Sequence, residues 1–219
     1  MTDVDELTPV AQDYLKVIWS AAEWGGPPIT TKALAARFAT TAANVSVTLR
    51  RLETQGLVVY QPYRPAELTA LGRRLAVAMV RRHRLLETFL VEVVGYSWDA
   101  VHDEAERLEH AVSDDFLARI DALLGHPRRD PHGDPIPTPA GDVGVPETVQ
   151  LEEAGAGTYL VARISAADPS LLARLAAAGV RPGASVELDP RRPELLVDGR
   201  ACELPAEARR AVRLSAPLA

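Results

Sequence analysis

The sequence predicts a mainly α protein with a small β domain at its C-terminal end. Two observations carry that expectation. Amphipathic helical stretches fill residues 7–124, interrupted by one hairpin-like run near residue 60. Beyond a Pro/Gly-rich stretch the pattern changes to short strand-like runs with one helix, as in a small β-barrel.

The elements follow in order. Residues 7–24 place Val10, Tyr14, Val17, Ile18 and Ala21 on one helical face. Thr8-Pro9 supplies an N-cap and a first-turn proline, and Gly25-Gly26-Pro27-Pro28 ends the helix. Asp13 lies off that stripe, near the helix start, where the helix dipole favours an acid. A second helix is expected over 29–38, capped by Thr30 or Thr31, and a third over 42–55, closed by Gly56. Two short helices around a tight turn form a helix-turn-helix pattern. Residues 57–60 and 67–69 then read as a hairpin whose tip carries Arg64 between prolines, suited to a wing. A long helix over 71–94 stops at Gly95, another spans 98–112, and Ser113 caps a further one over 114–124. Residues 125–146 hold six Pro and four Gly and can form neither a helix nor a central strand. His126 and His132 in that stretch are expected to be exposed. Strand-like runs at 159–164, 185–188 and 195–197, with a helix over 170–178, complete the chain.

The 219 residues carry a net charge of −6, but unevenly. Residues 30–84 hold ten Lys/Arg against Glu53 and Glu67, whereas residues 85–153 hold sixteen Asp/Glu against four Arg. The basic lobe suits a polyanion and the acidic lobe suits cations. With the helix–helix–hairpin order, this points to double-stranded DNA, read by Thr41, Ala43, Asn44, Ser46 and Thr48 early in the third helix. Arg51 and Arg64 would contact phosphates. No apolar run approaches the roughly 18 residues of a membrane span. The acidic start MTDVDELTPV lacks the marks of a signal peptide, and the single Cys202 fits a reducing cytosol.

The acidic lobe carries a second chemistry. On a helix over 98–112, His102, Glu106, Glu109 and His110 share one face, and His83 and Glu87 repeat the i,i+4 device upstream. Carboxylates at that spacing repel unless a cation lies between them, so the two helices could close around one or two metal ions. The plain alternative is a set of solvated surface residues. A dinuclear carboxylate enzyme would need Glu-x-x-His on each of two helices, but Arg107 and Val80 stand three residues before His110 and His83. A DNA-binding protein indifferent to metal is the third reading.

VAQDYLKVIW, the helix-turn-helix and wing, GRRLAVAMVRRHRLLETFL, VHDEAERLEHAVSD and DPHGDPIP together span nearly the whole chain. In these motifs the sequence resembles the diphtheria toxin repressor family of metal-dependent transcriptional regulators, most nearly its manganese-responsive three-domain branch. The resemblance implies a winged-helix DNA-binding domain (1–72), a helical dimerisation and metal-binding domain (73–125), a linker (126–147) and an SH3-like, FeoA-like domain (148–219). It implies a primary metal site of Asp13, Glu106, Glu109 and His110 and a second site of His83, Glu87 and His102. Iron-responsive members carry Met and Cys where this chain has Asp13 and Glu106, and the harder oxygens favour Mn(II). Two features depart from the family. Lys16 stands where shorter manganese regulators have a second acid, and ISAADPSLLARL lacks the Glu and Gln by which an SH3-like domain can complete the second site. Asp168 is the only acid in that stretch, so the barrel is expected to add little to metal affinity. The resulting expectation is a cytoplasmic homodimeric repressor, not an enzyme, without a membrane or small-molecule substrate. It would bind two Mn(II) ions per subunit and control manganese homeostasis genes; an Fe(II)-dependent repressor is the alternative.

Overall fold

The computed structural model describes residues 3–144, 146–192 and 194–216. The chain divides into two compact units, residues 1–82 with 137–142, and residues 83–136 with 143–219.

The first unit opens with α1 (Pro9–Glu23), where the Thr8 hydroxyl accepts from the Ala11 amide and Pro9 occupies the first turn. Helices α2 (Thr31–Arg37) and α3 (Ala42–Thr54) are capped in the same way by Thr30 and Thr41. Leu15, Leu34, Val45, Leu49 and Leu52 fill the core between them. Tyr14 stacks on Phe38 with ring centroids 4.4 Å apart. Strands β1 (Val58–Val59) and β2 (Glu67–Leu68) pair antiparallel, Val58 opposite Leu68, and form the expected hairpin. Next comes α4 (Ala70–Phe89), started by Thr69, whose hydroxyl accepts from the Gly72 amide. Gly72 lies against β1's leading edge so closely that a Cβ there would sit 1.9 Å from the Leu57 carbonyl oxygen.

In the second unit α4 continues into a single π-helical turn, Leu90–Val94, before Gly95. Helix α5 is shorter than its sequence suggests. It spans only His102–Leu108, with turns on both sides. The expected 98–112 helix is therefore broken: Trp98–Ala100 form a turn, and His110 lies beyond the last helical residue. No side chain caps α5's N-terminus, because Val101 occupies the cap position. Helix α6 (Asp114–Leu123) starts at Ser113, whose hydroxyl accepts from the Phe116 amide, with two acids in its first turn. Leu85, Leu86, Leu90, Val101, Ala105, Leu117, Ile120 and Ile136 form the helical core.

The barrel is a sheet of six strands: β3 (Val149–Gln150), β4 (Gly157–Ile164), β5 (Ser185–Leu188), β6 (Leu195–Val197), β7 (Arg200–Cys202) and β8 (Val212–Leu214). Their order is β3-β8-β4-β5-β6-β7, antiparallel throughout. Helices α7 (Pro169–Ala177) and α8 (Ala206–Arg210) close over the core. Strand β4 is bulged between Val161 and Arg163. Tyr159, Val161 and Ile164 enter the barrel core, so Ala162 and Arg163 both fall outside the inward alternation.

Gly72→Ala should destabilise the first unit by about 1–3 kcal/mol, because a methyl group must push the Leu57 carbonyl away. Thermal melts of the full-length protein check this; an unchanged melting temperature would show that the helix and hairpin shift apart freely.

Candidate metal centre and nucleic-acid interface

In the first unit the side chains expected to read DNA do not all face the same way. The Ser46 hydroxyl donates to the Ala42 carbonyl and accepts from the Tyr60 phenol at 3.0 Å, which turns it towards the hairpin. Thr48 donates to the Asn44 carbonyl and also hydrogen-bonds Tyr14. The Thr41 hydroxyl serves as the α3 cap, and the Asn44 side-chain amide donates to the Thr40 hydroxyl. Ala43, Asn44 and Arg51 are exposed, as is Arg64 at the wing tip beside the fully exposed Tyr63. Two residues that the sequence reading passed over share this exposed face, Val47 at 66% exposure and Arg50. Helical spacing from Ala43 marks them, since positions four and seven along return to the same side.

Asp13 is half-buried on α1 and belongs to the first unit, whereas Glu106, Glu109 and His110 belong to the second. Within the second unit, α4 and α5 bring His83, Glu87 and His102 together. His83 Nε2 lies 3.0 Å from Glu87 Oε1 and 3.1 Å from His102 Nδ1, and His102 Nδ1 lies 3.0 Å from the same Glu87 oxygen. Three donor atoms this close to one another can share a single cation. Two imidazole nitrogens in contact without a cation or a shared proton would set lone pair against lone pair. These residues therefore fit a divalent metal.

Glu109 links this group to His110. Fully buried at the end of α5, its Oε2 lies 2.6 Å from His83 Nδ1, and its Oε1 lies 3.7 Å from His110 Nε2. A carboxylate on the far nitrogen of a ligand histidine fixes the ring's tautomer and orientation. Glu106, one turn after His102, approaches His102 Nε2 at 3.4 Å.

His132 corrects an expectation. It is 2% exposed, and its ring lies beside Trp98 at a centroid distance of 5.9 Å. The reason is the turn it sits in. Asp130 Oδ1 accepts from the backbone amides of His132 and Asp134, both at 2.9 Å, and folds the segment back on itself. His132 Nδ1 reaches Glu87 Oε2 at 3.5 Å, while its Nε2 is buried with no hydrogen-bond partner. Glu87, Asp130 and His132 thus form a second group with donor atoms spaced for a cation, sharing Glu87 with the first. Histidine 126, by contrast, is exposed as expected and pairs with Asp121. Asp168 is accounted for as the cap of α7, accepting from the Ser170 and Leu171 amides.

The electrostatics match a site built for positive charge. Burial pushes Glu87 up, but the charge of His83 and hydrogen bonds from His102, His132 and His83 hold it well below the usual carboxylate range. Burial lowers His102, yet hydrogen bonds to Glu106 and Glu87, then their charges, hold it up at about 9. His132 is likewise pushed down by burial and held at about 9 by Glu87, Asp130 and Asp134. Burial, with Asp134 and Glu87 nearby, raises Asp130 to about 7 against the pull of Arg84 and His132.

Residues 6–66 match the family described as iron dependent repressor, N-terminal DNA binding domain. Residues 69–138 match iron dependent repressor, metal binding and dimerisation domain, and residues 149–214 match the FeoA domain. The iron-dependent repressor IdeR of Mycobacterium bovis is 36% identical over 200 residues, covering 85% of this chain and 86% of that protein. The diphtheria toxin repressor of Corynebacterium glutamicum is 32% identical over 223 residues, covering 95% and 97%. A solved structure described as a manganese-dependent transcriptional repressor in complex with manganese aligns with a TM-score of 0.88 at 48% identity, covering 95% of this chain and all of that one.

With His102 near 9, its imidazole carries a proton at neutral pH that a metal ion must displace. Metal uptake should therefore release protons near neutral pH. Affinity should climb as pH rises towards 9, where the proton is already gone, and weaken as pH falls. Calorimetry with Mn(II) in buffers of different ionisation enthalpy measures the release directly; an apparent enthalpy independent of buffer would contradict it.

Proposed function

Because the chain belongs to the diphtheria toxin repressor family of metal-dependent transcriptional regulators, we propose that it is a homodimeric repressor activated by Mn(II), acting in the cytoplasm on operators of manganese homeostasis genes. Members of this family are transcriptional repressors and not enzymes. The observation that carries the metal reading is the triangle of His83 Nε2, Glu87 Oε1 and His102 Nδ1, closed by contacts of 3.0–3.1 Å. One ion would be held at that second site by His83, Glu87 and His102. The primary ion would take Asp13, Glu106, Glu109 and His110.

A bound divalent ion would supply positive charge shared among several donor atoms at once; the protein does the rest. Asp13 stands on the DNA-binding unit, and its carboxylate would be held in common with Glu106, Glu109 and His110. A ligand set drawn from both units selects the arrangement in which paired recognition helices enter successive major grooves. Glu109 contributes twice, as a candidate ligand and as the carboxylate that orients the His83 ring. On the DNA side, Ala43, Asn44, Val47 and Arg50 form the exposed face of α3, with Arg51 and Arg64 flanking it.

Manganese is preferred because Asp13 and Glu106 are hard oxygen donors. Fe(II) outranks Mn(II) in raw affinity for most shared ligand sets, so selectivity rests on donor type and coordination number. The iron-dependent reading has its own support in the 36% identity to the repressor IdeR. Anaerobic DNA-binding titrations separate the two readings. The parent should be activated at lower free Mn(II) than Fe(II), and the Asp13→Met, Glu106→Cys double variant should reverse the order. A parent that answers equally to both metals would favour the iron reading.

DNA contacts divide by type. Arg64→Ala should weaken binding to every sequence and lower the salt slope by about one unit. Val47→Ala should leave the salt slope alone and cost about fourfold at a single thymine, through loss of apolar contact with its methyl group at about 0.8 kcal/mol per methylene-sized group. Gel shifts on a substituted operator at two salt concentrations test both. A uniform loss for Val47→Ala would remove it from the reading face.

A further inference from the structure

Among the described residues the barrel brings no carboxylate to the metal groups, yet it reaches them through a buried arginine. Arg163 lies on the bulged part of β4 and is 1% exposed. Its Nε donates to Asp134 Oδ1 at 2.5 Å. Two more contacts join the same two segments, and Trp98 bridges them. The Ile164 amide donates to the His132 carbonyl at 2.9 Å. Gly133 has a φ of +85°, and a Cβ on it would lie 2.0 Å from the Ala162 carbonyl oxygen, so only glycine allows the approach. Trp98, beside the His132 ring, packs on the barrel core.

The charges explain why an arginine is needed there. Asp130 and Asp134 are both buried and near each other, and Asp130 also feels the charge of Glu87. From α4, Arg84 Nε faces Asp130 at 3.4 Å and its Nη2 faces Asp134 at 3.4 Å, while its Nη1 donates to the Pro135 carbonyl at 2.7 Å. One guanidinium thus spans two carboxylates at long range. A buried carboxylate without a partner is far costlier than a paired one. Without Arg163, Asp134 would draw Arg84 off Asp130, and the turn that Asp130 caps would loosen.

We infer that Arg163 is a positioning residue for cation binding by Glu87, Asp130 and His132. By neutralising Asp134, the barrel locks the Asp130–Asp134 turn and aims Asp130 and His132 at Glu87. The barrel therefore supports metal binding through an ion pair and a close backbone contact, not through a ligand. The inference rests on the metal reading above and adds to it a further cation group, Glu87, Asp130 and His132, that depends on the barrel. The bulge in β4 is the structural device, because it sends Ile164 back into the core while Arg163 meets the turn.

The test uses the full-length protein and Mn(II) alone. Free Mn(II) is followed by electron paramagnetic resonance to give equivalents and affinities, and hydrogen exchange is measured over residues 128–136. Arg163→Met should weaken the affected equivalent at least tenfold and speed exchange in the turn, with the other equivalents unchanged. Arg163→Lys, which keeps the charge but not the planar donor, should fall between. Adding Asp134→Asn to Arg163→Met removes the stranded charge and should restore much of both signals. That rescue also separates positioning from simple damage to the barrel, whose fold is followed by near-ultraviolet circular dichroism. Unchanged Mn(II) affinity and unchanged exchange in Arg163→Met would overturn the inference while leaving the metal reading intact. Should the unaltered protein take up no Mn(II), both fall together. If all variants lose every equivalent along with the circular dichroism signal and the double variant rescues nothing, Arg163 is a fold residue and the inference is wrong.

Discussion

Glu87 is a carboxylate buried to 2% exposure with three imidazoles around it, and most of the second unit is arranged to make that possible. An ionised carboxylate in an apolar core is prohibitively costly unless its charge is met locally. Here Oε1 faces His83 and His102, and Oε2 faces His132. The helical core of Leu85, Leu86, Leu90, Val101 and Ala105 holds α4 against α5, which fixes two of those rings. The turn at Asp130–Asp134 fixes the third. His83 and His102 are in turn held by Glu109 and Glu106, so charge of both signs is nested with little access to water. A divalent cation suits such a place better than the protons that substitute for it, because one ion can satisfy several lone pairs at once.

The same constraint accounts for the bulge in β4. With Val161 inward, a regular strand would turn Arg163 into the core and Ile164 out of it. The extra residue lets the strand fill the barrel core on one side and present Ala162 and Arg163 to the acidic turn on the other. Gly133 completes the fit, since any side chain would strike the Ala162 carbonyl. The stretch that reads by composition as a linker is therefore, at residues 130–136, a buried structural element.

On the DNA-binding unit the hydroxyl-bearing residues of α3 show how local bonding competes with recognition. Ser46 and Thr48 return hydrogen bonds to the helix and to the Tyr60 and Tyr14 phenols, a common use of Ser and Thr within helices. The exposed face is left to Ala43, Asn44, Val47 and Arg50. Polarity alone is thus a poor guide to which residues face outward; periodicity from the buried Val45, Leu49 and Leu52 is the better one.

Local chemistry made much of this protein legible from its residues. The caps Thr8, Thr30, Thr41 and Ser113 stand at the starts of the helices they mark, and the i,i+4 pair of His83 and Glu87 does face one way. Both depend on neighbours within one or two turns, which sequence spacing reports directly. The break of 98–112 into a short α5 was not legible, because its apolar periodicity runs on where the backbone turns. Nor were Asp130, His132 and Arg163. Each owes its role to a partner on another element: Glu87 lies 45 positions before His132, and Asp134 lies 29 before Arg163. Sequence determines which donors a chain owns and how they are spaced along one helix. Only the packing of a Pro/Gly-rich turn between a helix and a bulged strand decides which distant donors share a buried space, because burial and charge balance are properties of the assembled fold.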